Sequence, residues 1–381
     1  MSNYNRIAWI DGLKGIASLM IFLHHFILAF IPALYYGTSV GYMLSNNEGV
    51  LADSPFLFFV GGHFLVNIFL LLSGLVLSLQ VYRINSVKEL ITKMVSRYMR
   101  LAFPVFIISL LVYVLLRYGL FYNTQFAEIT GSPWLSLYYK VPLSLKSVFE
   151  TSFYSVWFIG NDDYSTAFWM LTHLFYGSIL TYISIFSIRK INKQIQLFII
   201  LSLIIITGLY NSYLMNFTFG MLIAWMIIHQ SKLIHQDKWR WLFIIAGCLL
   251  AGYPQGVIPT NYYRYLTPIY HYFKSNVMIH SLGSFFIVLG IFKLNVTFKF
   301  LNGFIAQYLG KLSYSIYLIH IPILFSITSI LALTLHQYNF PYQFNILISL
   351  LISLILLIFL SEIFERFIIK PLNTVINSLI K

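Results

Sequence analysis

Charge is what this sequence has least of. Only 9% of its 381 residues are Asp, Glu, Lys or Arg, against about a quarter in soluble domains, which excludes a water-solvated surface over most of the chain. A single cysteine, Cys248, set in an apolar run, excludes an internal disulfide framework and a thiolate metal cluster. His229 and His235 near one loop are too sparse for a metal site, so no metal is expected. No repeat or low-complexity tract stands out. No small-residue cleavage site follows the first apolar stretch, and Asp11 and Lys14 interrupt it. It reads as a retained first helix and not as a secretory signal.

What is there is hydrophobic: 59% apolar residues and a mean hydropathy of +0.80. A membrane-spanning helix needs roughly 20 mostly apolar residues. Candidate runs are 8–34, 58–80, 100–121, 167–188, 195–210, 213–230, 240–253, 276–292, 312–336 and 344–368, the fifth to seventh being short or closely spaced. The expectation is an all-α polytopic membrane bundle of about ten transmembrane helices, one domain over 1–381 with no separate soluble domain.

The net charge of +13 does not indicate a nucleic-acid partner, because the bases are not pooled. They sit at the ends of the apolar runs, as the positive-inside rule places them. With the N-terminus inside, the inner loops hold Arg83, Lys88, Lys93, Arg97, Arg100, Arg189, Lys190, Lys193, Lys232, Lys238, Arg240, Lys293, Lys299 and Lys311. The outer loops, two of them the longest in the protein, hold only Arg117, Lys140, Lys146, Arg264 and Lys274. The expected setting is the plasma membrane with both termini cytoplasmic. The two long outer segments, 122–166 and 254–275, are rich in aromatic residues, among them Tyr262, Tyr263, Tyr265 and Tyr270. They are either an interfacial aromatic belt or surfaces that stack on sugar rings.

Ionisable residues inside a span are expensive and usually functional. The first run holds Asp11, Lys14, His24 and His25. Lys14 and His25 are eleven residues apart, three helical turns with about 20° to spare, so they share one face roughly 16 Å apart along the axis. A histidine titrating near neutrality takes a proton from a hydroxyl and returns it. Placed above a cytoplasmic cation, it suits group transfer from an anionic donor inside to an acceptor reaching in from outside. The alternative is a ring satisfied by a backbone carbonyl.

The stretch 6–25, RIAWIDGLKGIASLMIFLHH, resembles the opening of the acyltransferase family 3 membrane proteins, a D-G-[LI]-R-[GA] motif with a histidine eleven residues beyond the basic position. Lys14 stands at the usual arginine and His25 at the histidine; lysine keeps the charge but not the bidentate fork. Four further matches follow in the family's order: GGHFLVNIFLLLSGLVL at 61–77, RYMRLAFP at 97–104, GKLSYSIYLIH at 310–320 and ERFIIKP at 365–371. One segment departs. In 168–178, FWMLTHLFYGS, Leu174 occupies the family's glutamate position, with His173 beside it. Either the acid is supplied elsewhere, or this branch differs in acceptor, rate or activity.

The resemblance implies a membrane O-acyltransferase that moves an acyl group, acetyl above all, from cytoplasmic acyl-CoA to a hydroxyl of an extracytoplasmic carbohydrate or cell-wall polysaccharide. Acetyl-CoA is then a substrate and no permanently bound cofactor is expected; polysaccharide-assembly proteins are candidate partners. His25 is the candidate general base or transient acyl carrier, and Asp11 its orienting companion near Lys14. Lys14, Arg97 and Arg100 are candidates to hold the donor's phosphates; the two arginines, three apart, share a helical face, and their bland role is membrane anchoring. Ser313, Tyr317 and His320 share a face of the ninth run and either line an acceptor path or hydrogen-bond between helices. Glu362 and Arg366 form an i, i+4 pair expected to be structural. A glycan or lipid-linked oligosaccharide flippase explains the helices and aromatic loops equally well, but not the paired basic and histidine positions. An inactive scaffold is the third alternative.

Overall fold

Within lipid a chain must satisfy its backbone internally, which an apolar helix does. All ten runs fold as helices. The computed structural model describes residues 8–37, 40–41, 43–45, 48–139, 144–230, 239–260, 262–268, 276–292 and 299–380; among them there is no strand. The long helices are labelled α1 (Ala8–Phe30), α2 (Gly62–Val81), α3 (Val87–Arg117), α4 (Trp169–Ile188), α5 (Lys193–Tyr210), α6 (Ser212–Ile228), α7 (Arg240–Ala251), α8 (Val277–Ile291), α9 (Phe304–Gln337) and α10 (Tyr342–Leu379). Arg6, Lys140, Lys232, His235, Lys238, Tyr270, Lys274 and Lys293 lie outside the described residues.

The structure corrects several boundaries. Among the described residues seven helices are long and apolar enough to cross a membrane; α6, α7 and α8 have 17, 12 and 15 residues. At 1.5 Å per residue α7 spans only about 18 Å of a ~30 Å hydrocarbon layer. Helix α3 starts thirteen residues before the expected 100, because Ser86 caps it by accepting from the Glu89 amide. The last helix continues past Pro371 through a π-helical turn at Glu365–Ile369, and a second such turn follows Pro322 in α9. Proline cannot donate the usual i→i−4 bond, and a wider turn beside it relieves that defect. Glu362 is not paired along its own helix with Arg366; its carboxylate meets Lys311 of α9 at 3.0 Å.

Helices α2 and α9 are central: 83% and 78% of their most apolar stretches are buried inside the protein, against 22% for α5 at the periphery. Without a hydrophobic drive between helices in lipid, close backbone approach and interhelical hydrogen bonds hold the bundle. The parallel pair α1 and α9 touch at Gly15 and Gly310. A Cβ on Gly15 would stand 2.5 Å from the Leu309 carbonyl carbon, and one on Gly310 2.6 Å from that of Asp11. This contact brings the far ends of α1 and α9 side by side. At the centre, Asn216 of α6 donates to Asn67 of α2 at 3.1 Å and to Ser281 of α8 at 2.9 Å, all three buried. Gly310→Val is expected to cost at least the upper end of the ~1–3 kcal/mol typical of overpacked cores and to lower the melting temperature in detergent. An unchanged melting temperature would refute the close-packed α1–α9 seam.

The segment between α3 and α4 is a folded cap more than a loop. It contains short helices at Asn123–Thr130, Leu145–Glu150 and Val156–Phe158, with a π turn at Thr151–Ser155. It is fastened to the bundle by Ser132 Oγ donating to Leu28 O at 2.5 Å and by the Tyr122 amide donating to Phe325 O at 2.9 Å. Asn123 closes its own turn onto Leu135 O at 2.9 Å.

Candidate active site

Helix α1 places Lys14 and His25 on one face because the eleven-residue spacing demands it, and of the two only His25 lines a cavity. At the end where α1 begins, the walls of a cavity of about 510 Å³ include four bases, Arg83, Lys93, Arg97 and Arg100, and one acid, Glu89. The amphipathic first turns of α3 supply Lys93, Arg97 and Arg100. Arg97 Nε donates to Ser178 Oγ of α4 at 2.7 Å, and Arg100 Nη2 donates to Asn377 Oδ1 at 2.6 Å. Arg100 Nε is buried with no partner among the described residues, an unmet donor in a basic chamber. Lys14 is half-buried, within electrostatic reach of Asp11 and Arg97, and is not itself a wall of this cavity.

At the other end a smaller cavity, about 160 Å³, is lined by His24, His25, His63, Trp134, Trp169 and Tyr317, with Tyr35 and Tyr36 beside them. The His25 ring faces this interior. It stacks on Trp134 from the cap with centroids 5.1 Å apart and planes 22° apart, and the His24 ring meets it edge-on at 5.1 Å. His25 Nδ1 lies 3.0 Å from His320 Nε2. Tyr317 hydrogen-bonds to the Ala167 carbonyl. Among the described residues Ser313 bonds only within its own helix, to Gly310 O at 3.0 Å. The α9 trio thus separates: Tyr317 lines the cavity, His320 holds His25 from behind, and Ser313 is part of neither.

The two cavities share no wall residue. Between them, Tyr314 donates to the Leu101 carbonyl at 2.9 Å; Leu101 is a wall of the lower cavity, and Tyr317, one turn on, a wall of the upper. Arg97, another wall of the lower cavity, lies within electrostatic reach of Tyr314. Ser178 also donates to the carbonyl of Leu174 at 2.5 Å, so the position where the family carries glutamate contributes a backbone acceptor here. Leu174 itself is buried.

Three features escape the sequence reading, two of them walls of the upper cavity. His63 opens α2, and its Nδ1 is buried with no partner among the described residues. Trp134 reaches His25 from 109 residues away, a contact no local pattern announces. Asp162, in the cap, accepts from Tyr138 at 3.2 Å; burial pushes its carboxyl up, which the Tyr138 hydrogen bond partly offsets. The only faint signal was the G-G-H start of the second motif. Of the outer tyrosines, Tyr262 and Tyr265 are exposed, whereas Tyr263 is buried and donates to Leu249 O at 2.6 Å.

The family model described as an acyltransferase domain matches residues 7–363. No curated protein and no solved structure matches the chain. The match covers nearly the whole chain, every helix from α1 to the end of the regular part of α10, so the protein belongs to acyltransferase family 3.

Proposed function

We propose that the protein moves an acetyl group from cytoplasmic acetyl-CoA to a hydroxyl of an extracytoplasmic carbohydrate, with both termini on the cytoplasmic side of the plasma membrane. The observation that carries this is an arginine-bearing cavity and a histidine-walled cavity at opposite ends of α2, which lends Leu77 and Gln80 to the first and His63 and Val66 to the second. Guanidinium groups bind phosphate oxygens through charge-assisted, often bidentate hydrogen bonds. Arg97 and Arg100, the latter with a spare buried N–H, suit the phosphates of a coenzyme A. The flexible pantetheine arm then reaches past Tyr314 and Ser178 toward His25. Trp134, Trp169 and Tyr35 offer flat faces to a sugar ring at the other mouth.

In the chemistry that follows, His25 takes the proton of the acceptor hydroxyl while its oxygen attacks the thioester carbonyl. A transient acyl-histidine is the variant in which the ring itself attacks first. Lys14, coupled to Asp11, adds positive charge along the donor's route. Purified protein in lipid vesicles, given acetyl-CoA labelled in the acetyl group, is expected to release free coenzyme A and to label an added sugar acceptor or water. A flippase leaves acetyl-CoA intact, and that result would sink the proposal.

A further inference from the structure

His320 is the residue whose surroundings fix the position of a proton. Its Nδ1 faces two backbone carbonyls, that of Tyr317 at 2.7 Å and that of Ile316 at 3.2 Å. A carbonyl only accepts, so this nitrogen carries hydrogen. A neutral imidazole has a single N–H, which leaves His320 Nε2 as an acceptor. Among the described residues no carboxylate is hydrogen-bonded to either His320 or His25 to favour a charged ring. His320 Nε2 stands 3.0 Å from His25 Nδ1, and that contact is a hydrogen bond only when His25 Nδ1 donates. The one proton of a neutral His25 is thereby committed to Nδ1, and its lone pair is left on Nε2. The Ile21 carbonyl, four residues back on α1, also faces the His25 ring.

We propose that His320 is a positioning residue that holds His25 in the Nδ1-protonated tautomer, so that Nε2 is the basic nitrogen presented to the acceptor hydroxyl. The inference rests on the acyl-transfer reading above and gives that reading an atom. As the hydroxyl oxygen bonds to the acyl carbon, its proton passes to His25 Nε2. The carbon–sulfur bond breaks, the coenzyme A thiolate leaves, and the same proton passes from Nε2 to the thiolate. The products are an ester and a free thiol, and His25 returns to its starting tautomer. Throughout, Nδ1–H stays on His320 Nε2, and the stacked Trp134 keeps the ring from turning over. The relay has the logic of an acid–histidine pair in a hydrolase triad, with a carbonyl-anchored imidazole where the carboxylate would be.

Three variants and one spectrum test it. His320→Gln carries an amide oxygen to about where Nε2 stands; His320→Asn ends a bond short, and His320→Leu has no acceptor. The Leu and Asn proteins are expected to lose on the order of a hundredfold in kcat, with KM for acetyl-CoA and for acceptor within about twofold of wild type, while Gln recovers about tenfold or more. Equal losses in the Gln and Leu proteins overturn the assignment. So does a rise in acceptor KM in place of the kcat loss, which would make His320 part of the acceptor subsite. The spectrum needs no turnover: in nitrogen-15 histidine-labelled protein in lipid vesicles, the resonances absent from His25→Ala protein are expected to be those of an Nδ1-protonated ring. An Nε2-protonated ring overturns the proposal even in an active protein. An Nδ1-protonated ring in a protein that turns over no acyl-CoA sinks the acyl-transfer reading and leaves the tautomer standing.

Discussion

His25→Ala protein is expected to insert and fold like wild type and to lose acyl transfer by about 10²–10⁴-fold, the range for a general base removed from its reacting group. Folding should survive because the His25 ring is half-exposed to a cavity. The α1–α9 seam is set by Gly15 and Gly310, well below it. The partner left behind, His320 Nε2, gains access to the same cavity and to any water there, so little burial penalty follows. His24→Ala provides the contrast: its ring packs edge-on against both His25 and Tyr35, so its loss loosens the wall without removing the base. The measurement is labelled acetyl transfer per folded protein, with folding checked by the melting temperature. Undiminished transfer in the His25→Ala protein would eliminate this ring as base or acyl carrier.

The second large effect is expected at the lower cavity. Replacing Arg97 and Arg100 together by alanine removes two sets of charge-assisted hydrogen bonds, each worth roughly 1.5–3 kcal/mol. KM for acetyl-CoA should therefore rise by about a hundredfold or more, with acceptor KM little changed. Lysine at both positions keeps the charge and loses the fork, so it should restore only part of the affinity. Arg97 also holds Ser178, and Arg100 holds Asn377, so the alanine protein loses some local order as well. A fall in protein abundance with an unchanged KM would reduce both arginines to membrane anchors.

How much of this was legible beforehand depends on the range of the interaction. Apolar runs and the eleven-residue spacing of Lys14 and His25 are local properties, and both survive in α1. The start of α3 was legible too: Ser86 to Glu89 is a capping pattern, obscured by the charged turns that follow it. The long extent of α10 was hidden by Pro371, which ordinarily ends a helix and here sits just beyond a π turn. Glu362 found Lys311 and not Arg366 because a neighbouring helix brings a base 3.0 Å away, which i, i+4 spacing cannot anticipate. At the site, the face shared by Tyr317 and His320 was visible in their spacing, but His320 meeting His25 depends on two glycines letting α1 and α9 touch. Trp134 and His63 join the cavity through the cap and α2, by contacts across long stretches of chain.

The layer formed by Tyr314, Leu101, Arg97 and Ser178 has a meaning for the cell that holds this protein. On the proposed reading, a donor on one side and an acceptor on the other would invite a continuous bore, and such a bore would conduct protons and discharge the gradient across the membrane. Two chambers that share no wall residue, with the Tyr314–Leu101 hydrogen bond reaching from one helix to the wall of the lower one, would avoid the leak. On the same reading, a long, thin donor arm would have to part those side chains and fill the gap as it passes.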